Sequence, residues 1–291
     1  MTSIDLPDVQ SRISTNTFKL TRVGVTDVKK LVHIKRPNKT TQPLIVTMDL
    51  FVDLPAKQKG SHMSRNLELI GEIIDSNLNT PFSSLESFCQ QITQTMFDKH
   101  PYATYAEIKA QADYFRETTY PDGRKGSEPY TLIAEARGTH KDDIKKMIGV
   151  TAIGMTACPC AMEVLQELAK RDKEFPVPSH NQRNIGTLLI EVPQDVTEVE
   201  ADDLIDILEE SFSSPTYSIL KRQQEAELVL KAHKNPRFVE DVVREMLRQI
   251  LKRYPTLPDE VLVIARSESE ESIHKHNAYA ERVTTLKELR L

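Results

Sequence analysis

Cys158-Pro159-Cys160 sets two thiols two residues apart, after an apolar run and before a helical segment. Backbone N–H groups at a helix N-terminus favour a thiolate, and a thiolate is a nucleophile or a metal ligand. The alternative is two buried cysteines acting as small apolar residues. The third cysteine, Cys89, falls on the apolar face of a helix, which leaves no four-cysteine zinc knot.

His180-Asn181-Gln182-Arg183 puts four hydrogen-bonding residues just before a strand. A solvated loop explains them as well as a site does, but Cys158, Cys160 and His180 together form a mixed sulfur and nitrogen donor set. Zinc or ferrous iron accepts such a set, and a catalytic metal needs only three protein ligands plus water. Lys221-Arg222-Gln223-Gln224-Glu225 holds two cations and two amides ahead of an acid, otherwise an exposed charged segment. His274 and His276 share one face of an extended segment, or lie in a polar C-terminal loop. Lys57, His62 and Arg65 sit in a Gly-containing basic loop able to hold phosphates, or serving solubility alone.

These residues are positioned by an alternation of strands and helices. Residues 44–53 read as a strand, Asn66–Asp75 and Ser83–His100 as helices, and 103–118, Tyr130–Thr139 and Met147–Met155 as strands, with PDGRKGSEP as a turn. Ala161–Arg171 then reads as a short helix, KEFPVPSHNQR as a loop, Asn184–Val192 as a strand and Asp202–Phe212 as a helix. In Pro236–Tyr254 two adjacent i,i+4 apolar rows mark the clearest helix, with Pro236 suited to its first turn. Val261–Ser269 reads as a strand. The first 20 residues form a polar lead-in. The order predicts two similar α+β halves, 21–160 and 161–291, with no long linker between them.

The chain has 291 residues, enough for about two domain-sized units. Lys and Arg number 38 against 43 Asp and Glu, a formal net charge of −5, which argues against nucleic acid as the partner. No run approaches the ~18 apolar residues of a membrane helix, and the N-terminus lacks an apolar signal core. Three cysteines fit a reducing, cytoplasmic setting rather than a disulfide scaffold.

Six fragments in order resemble GTP cyclohydrolase type IB, in particular its archaeal, methanopterin-pathway branch. They are Ser61-His62-Met63-Ser64-Arg65, Gly154-Met155-Thr156-Ala157-Cys158-Pro159-Cys160 and His180-Asn181-Gln182-Arg183, followed by the stretches Ser214–Arg222, Asn235–Asp241 and Glu271–Ala278. Each alone is weak; the ordered set, spanning about residues 20–285, is specific.

The resemblance implies the tunnelling fold. This is an α+β architecture of two ββααββ-like halves, an antiparallel sheet with helices on one face, closing into a β-barrel through subunits. It implies a homo-oligomer, dimer or tetramer, with active sites at subunit interfaces. It implies a divalent metal held by Cys158, His180 and Glu225: ferrous iron in the archaeal branch, with zinc or manganese in purified protein. A C-terminal His beside the site matches His274 or His276, the latter favoured because it lies nearest Asn277. Glu240 matches the purine-anchoring Glu, able to accept from both N1–H and the 2-amino group of guanine. Lys57, His62, Arg65, Arg183, Lys221 and Arg222 fall to the GTP side, the five cations among them to the triphosphate. The implied reaction is hydrolytic attack at C8 of GTP, imidazole opening and formate release. The archaeal branch implies loss of diphosphate and 7,8-dihydroneopterin 2′,3′-cyclic phosphate as product; the bacterial branch gives the triphosphate. A purine- or pterin-binding protein without this activity is the alternative, as is a reductase or synthase of the same fold.

Two features depart from the family pattern. The stretch between Cys160 and His180 is longer than in the short bacterial form and carries its own helix. The usual Lys-Arg-Pro-Asp-Glu reads Lys221-Arg222-Gln223-Gln224-Glu225, so the acid is retained and the proline is not.

Overall fold

In the stretch around residues 44–53, alternate side chains Leu44, Val46, Met48, Leu50 and Val52 are almost fully buried while their neighbours face outward. That period-two burial makes strand β2 (Thr41–Leu54). The fold is that of a computed structural model describing residues 7–35, 40–77, 80–169, 177–194 and 199–291. Among the described residues it has nine strands and seven helices, and the sheet runs β1-β2-β3-β4-β5-β6-β8-β9 with β7 beside β5. The remaining strands are β1 (Leu20–Lys35), β3 (Ala106–Thr119), β4 (Lys125–Gly138), β5 (Ile144–Ala157), β6 (Asn181–Val192), β7 (Ser214–Pro215), β8 (Leu262–Glu270) and β9 (Ala278–Thr285). The pairs β1/β2, β2/β3, β5/β7, β6/β8 and β8/β9 are antiparallel.

The helices are α1 (Met63–Ser76), α2 (Leu85–Lys99), α3 (Pro159–Ala169), α4 (Ala201–Ser211), α5 (Arg222–Lys234), α6 (Val239–Arg253) and the one-turn α7 (Leu286–Leu289). Ser84 caps α2 by accepting from the Ser87 amide at 3.2 Å. Its buried stripe of Phe88, Cys89, Ile92 and Met96 is the face read from the sequence, and Cys89 is a core residue. The α6 stripe of Val242, Val243, Met246, Leu247 and Ile250 is likewise buried.

The chain divides into two compact units, Met1–Ala112 with Ile133–Met147, and Asp113–Leu132 with Ile148–Leu291. In the first, β2 pairs with β3 from Val46↔Ala112 to Val52↔Ala106. Asp53 accepts from the amides of Thr104 and Tyr105 just before β3, which explains why that strand starts at Ala106 rather than at 103. In the second unit, β6, β8 and β9 form a continuous ladder.

Several sequence expectations are corrected. The segment after the lead-in is a long strand, β1, whose side chains are mostly exposed, so it lacks an inward apolar stripe. Its Gly24 lies so close to β2 that a Cβ would stand 1.7 Å from the Leu50 carbonyl oxygen. Asn181–Arg183 belong to β6 rather than to a loop, because Arg183 pairs with Glu270. The charged run at 222–225 opens helix α5, and the segment after His276 becomes β9. Helix α6 begins at Val239 instead of Pro236. The Arg237 amide is used by the Ala157 carbonyl at 3.0 Å, and Asp241 accepts from the Phe238 amide at 3.0 Å, which moves the cap to Phe238. The Asp-Gly turn is present, with Gly123 at φ 82°, but β4 starts at Lys125, inside the expected turn. An inward-facing acid, Glu128, interrupts the apolar alternation there. Residues 170–176, the end of the expected 161–171 helix and the start of the loop after it, lie outside the described residues. No described helix is long and apolar enough to cross a membrane.

Candidate functional site

The last residues of β5 form a node in the second unit. The Cys158 amide donates to the His180 carbonyl at 3.1 Å, and the Ser179 hydroxyl donates back to the Cys158 carbonyl at 2.7 Å. The Ala157 amide donates to Ser213 Oγ at 3.2 Å, and the Ala157 carbonyl accepts from the Arg237 amide at 3.0 Å. Two adjacent residues thus fix the segments leading to His180, to α5 with Glu225, and to α6 with Glu240. Asn235 bonds the carbonyls of Phe212 and Ser213, and Arg237 bonds that of Ser211, so the loop before α6 is tied to the same corner.

Cys158 caps α3: the Met162 amide donates to its carbonyl at 3.3 Å. Half-buried Cys158 therefore stands at the N-terminus of a helix, while Cys160 is exposed. His180 lies just before β6. Its Nδ1–H donates to Gln182 Oε1 at 3.1 Å, which leaves the Nε2 lone pair free to ligate. A second partner fixing the other ring nitrogen is the usual arrangement of a metal-binding histidine. Glu271 Oε2 stands 3.7 Å from the same Nδ1, with both side chains largely buried.

The His180 ring meets His274 edge to face, centroids 6.3 Å apart, and His276 stacks on His274 at 5.3 Å. The geometry thus favours His274, not the expected His276, as the imidazole beside His180. Gln182 and Glu271 lay inside the quoted fragments, but only the coordinates show that both face His180.

Glu225 is on the first turn of α5. The Lys221 amide donates to Gln224 Oε1 at 2.8 Å, and the Glu225 amide bonds the Lys221 carbonyl at 2.9 Å. Gln224 thus closes the N-terminus of α5. Glu225 and Arg222 line a cavity of about 920 Å³ with Ser179 and Asn181, the two residues flanking His180, and with His233. Arg183 lines a smaller one of about 230 Å³ with Tyr130, Thr216 and Tyr217. Glu240 is exposed on the first turn of α6.

Lys57 and His62 lie in the first unit ahead of α1, with His62 at its N-cap, and Arg65 is in the first turn of that helix. His62 bonds Asp8 at 3.0 Å and Arg65 donates to the Lys99 carbonyl at 3.0 Å. Beneath them His100 is fully buried between Asn66 (2.8 Å) and Tyr102 (3.0 Å), and Tyr102 donates to Ser61 at 2.8 Å. Burial first, then the charges of Arg65 and His62, push the His100 pKa down to about 4.

Among the described residues, no three His, Cys, Asp or Glu side chains are already gathered around one point. Of the expected convergence of sulfur, imidazole and carboxylate, the Cys158–His180 backbone bond is present, while the cavity that Glu225 lines includes Ser179 and Asn181 but neither Cys158 nor His180. In kind, the donor set suits a borderline divalent metal, and the Gln182-held imidazole suits ligation.

The fold is the α+β architecture of a known enzyme. The structure is similar to that of uricase from Arthrobacter globiformis, with a TM-score of 0.52 at 12% identity, covering 91% of this chain and 93% of that one. The family follows from the sequence: a model for type I GTP cyclohydrolase folE2 matches residues 6–280, and the chain belongs to that family. It is 45% identical to GTP cyclohydrolase MptA of Methanobrevibacter smithii, over 99% of this chain and 98% of that protein. It is 41% identical to GTP cyclohydrolase MptA of Methanocaldococcus jannaschii, over 97% and 96%.

Proposed function

We propose that this chain is the archaeal-type GTP cyclohydrolase of methanopterin synthesis. It opens the GTP imidazole ring at C8 and releases formate and diphosphate, leaving 7,8-dihydroneopterin 2′,3′-cyclic phosphate. The observation that carries the reading is the Ala157–Cys158 node, which ties the segments bearing His180, Glu225 and Glu240 to one corner of the fold. The full-length likeness to the methanogen cyclohydrolases supports the substrate and the product.

In this reading Cys158, His180 and Glu225 hold Fe(2+), with zinc or manganese able to replace it. The bound ion supplies Lewis acidity and an acidified water for attack on C8. Gln182 holds His180 in the ligating tautomer. His274, rather than His276, holds and delivers the proton during ring opening, as an imidazole does near neutral pH. Glu240 accepts from guanine N1–H and the 2-amino group, a pair that adenine cannot offer. Arg183, Lys221 and Arg222 are the cations that bind the triphosphate; Lys57, His62 and Arg65 keep their expected place on the GTP side.

We further propose the tunnelling fold in its oligomeric form, with active sites at subunit interfaces and a cytoplasmic location. The element order β1 β2 α1 α2 β3 β4 is one ββααββ module. The terminal strands β1 and β9 each have a single neighbour in the sheet, as a barrel closed by other subunits requires.

The test is anaerobic incubation of the protein with Fe(II) and GTP, with ATP in parallel. Formate and a product with the mass of the cyclic phosphate are expected from GTP alone. A triphosphate product corrects the branch; no formate, or equal turnover of ATP, contradicts the reading.

A further inference from the structure

Glu128 stands at an inward position of β4, buried and without a cationic partner among the contacts it makes. Its carboxylate is instead saturated by three neutral donors. Oε1 accepts from the Tyr120 hydroxyl at 2.8 Å and from the Ser218 amide at 2.9 Å, and Oε2 accepts from the Ser218 hydroxyl at 2.6 Å. Two of the three donors belong to Ser218, three residues before the α5 cap at Lys221. Tyr120 and Tyr217 meet edge to face at 5.9 Å.

A buried carboxylate is costly unless its lone pairs are met, and here two of its three bonds come from one exposed residue, Ser218. Within the hairpin itself only the Tyr120 hydroxyl uses this acid, and a leucine would continue the inward alternation of β4. The bonds instead fix the one stretch, 216–221, that links the Ala157 corner to the first turn of α5.

We propose that Glu128 is a positioning residue for the metal-holding turn of α5: through Ser218 it sets the start of the helix and therefore the place of Glu225. The proposal rests on the metal reading above and names a residue outside the fragments that carry it. It acts through hydrogen-bond acceptance rather than charge. A Gln at 128 can accept from Tyr120 and the Ser218 amide through its oxygen and donate to Ser218 Oγ through its nitrogen. Leu at 128 retains volume and loses every bond.

The experiment compares wild type, Glu128→Gln, Glu128→Leu and Ser218→Ala by Fe(II) titration of the full chain under anaerobic conditions. Amide hydrogen exchange of residues 218–226 is followed in the metal-free protein. Glu128→Leu is expected to bind Fe(II) about 10-fold or more weakly and to exchange faster in 218–226. Glu128→Gln should remain within about 3-fold of wild type, and Ser218→Ala should fall between. Should Glu128→Leu fail to fold, Ser218→Ala and Glu128→Gln still decide the matter. Wild-type affinity and exchange in Ser218→Ala or a folded Glu128→Leu overturn the proposal, as does a loss in Glu128→Gln equal to that in Glu128→Leu. If wild type itself neither binds Fe(II) nor turns over GTP, the metal reading fails. Unchanged exchange in 218–226 rejects the clamp separately.

Discussion

The Cys158 amide and the His180 carbonyl are joined at 3.1 Å, so two candidate metal ligands more than twenty residues apart in sequence become backbone neighbours. The bond is between main chains, which makes the pairing independent of either side chain. Ser179 reinforces it by donating to the Cys158 carbonyl at 2.7 Å. Ser179→Ala should therefore leave both ligands present and loosen their spacing. A roughly 3- to 10-fold fall in Fe(II) affinity is expected, with a loss of about 1 kcal/mol in stability, read by metal titration and chemical denaturation.

The two C-terminal histidines should separate cleanly. His274 faces His180 and His276 stacks behind it. His274→Ala is expected to lower kcat by about 100-fold or more, and His276→Ala by less than about 10-fold. Metal content should be unchanged in both. Equal losses, or the larger loss at His276, would restore the assignment made from sequence.

Glu240 is expected to act on binding of the base. Glu240→Gln replaces one acceptor by a donor facing guanine N1–H or the 2-amino group. We expect a fall of about 10- to 100-fold in kcat/KM for GTP with Fe(II) affinity unaffected. Equal kcat/KM in the variant would remove Glu240 from the base-binding role.

In the first unit, His100 gives the chain a pH-dependent stability. Its pKa is lowered to about 4 in the fold, so the folded protein keeps it neutral while the unfolded chain takes up a proton below pH ~6.5. The unfolded state binds more protons between these values, so stability falls as pH drops from about 6.5 to about 4. The contribution at stake is at most about 3 kcal/mol. His100→Gln should flatten the denaturation midpoint over this window relative to wild type, since glutamine does not titrate.

Much of the core was legible because burial imposes a period. The stripes of β2, α2 and α6 alternate or recur as the burial requires, and each was found within a few residues. What escaped lacked such a stripe: β1 and β9 are mostly exposed, and α5 buries only Gln224, Ala232 and His233. The start of β4 was hidden because Glu128 occupies an inward position, so polarity there reports a clamp rather than a surface. Within the site, Cys158, His180 and Glu225 were visible through residue type and motif order. The roles of Gln182 and Glu271 depend on which side chains meet across β6 and the segment after β8, which no local pattern encodes.

The central claim is that one ion is shared by Cys158, His180 and Glu225. Crystals grown anaerobically with Fe(II) and measured across the iron absorption edge test it directly. The account predicts a single strong anomalous peak about 2.3 Å from the Cys158 sulfur and about 2.1 Å from a His180 nitrogen and a Glu225 oxygen. An iron peak ligated by other residues, or none at this corner in protein that turns over GTP, would contradict it.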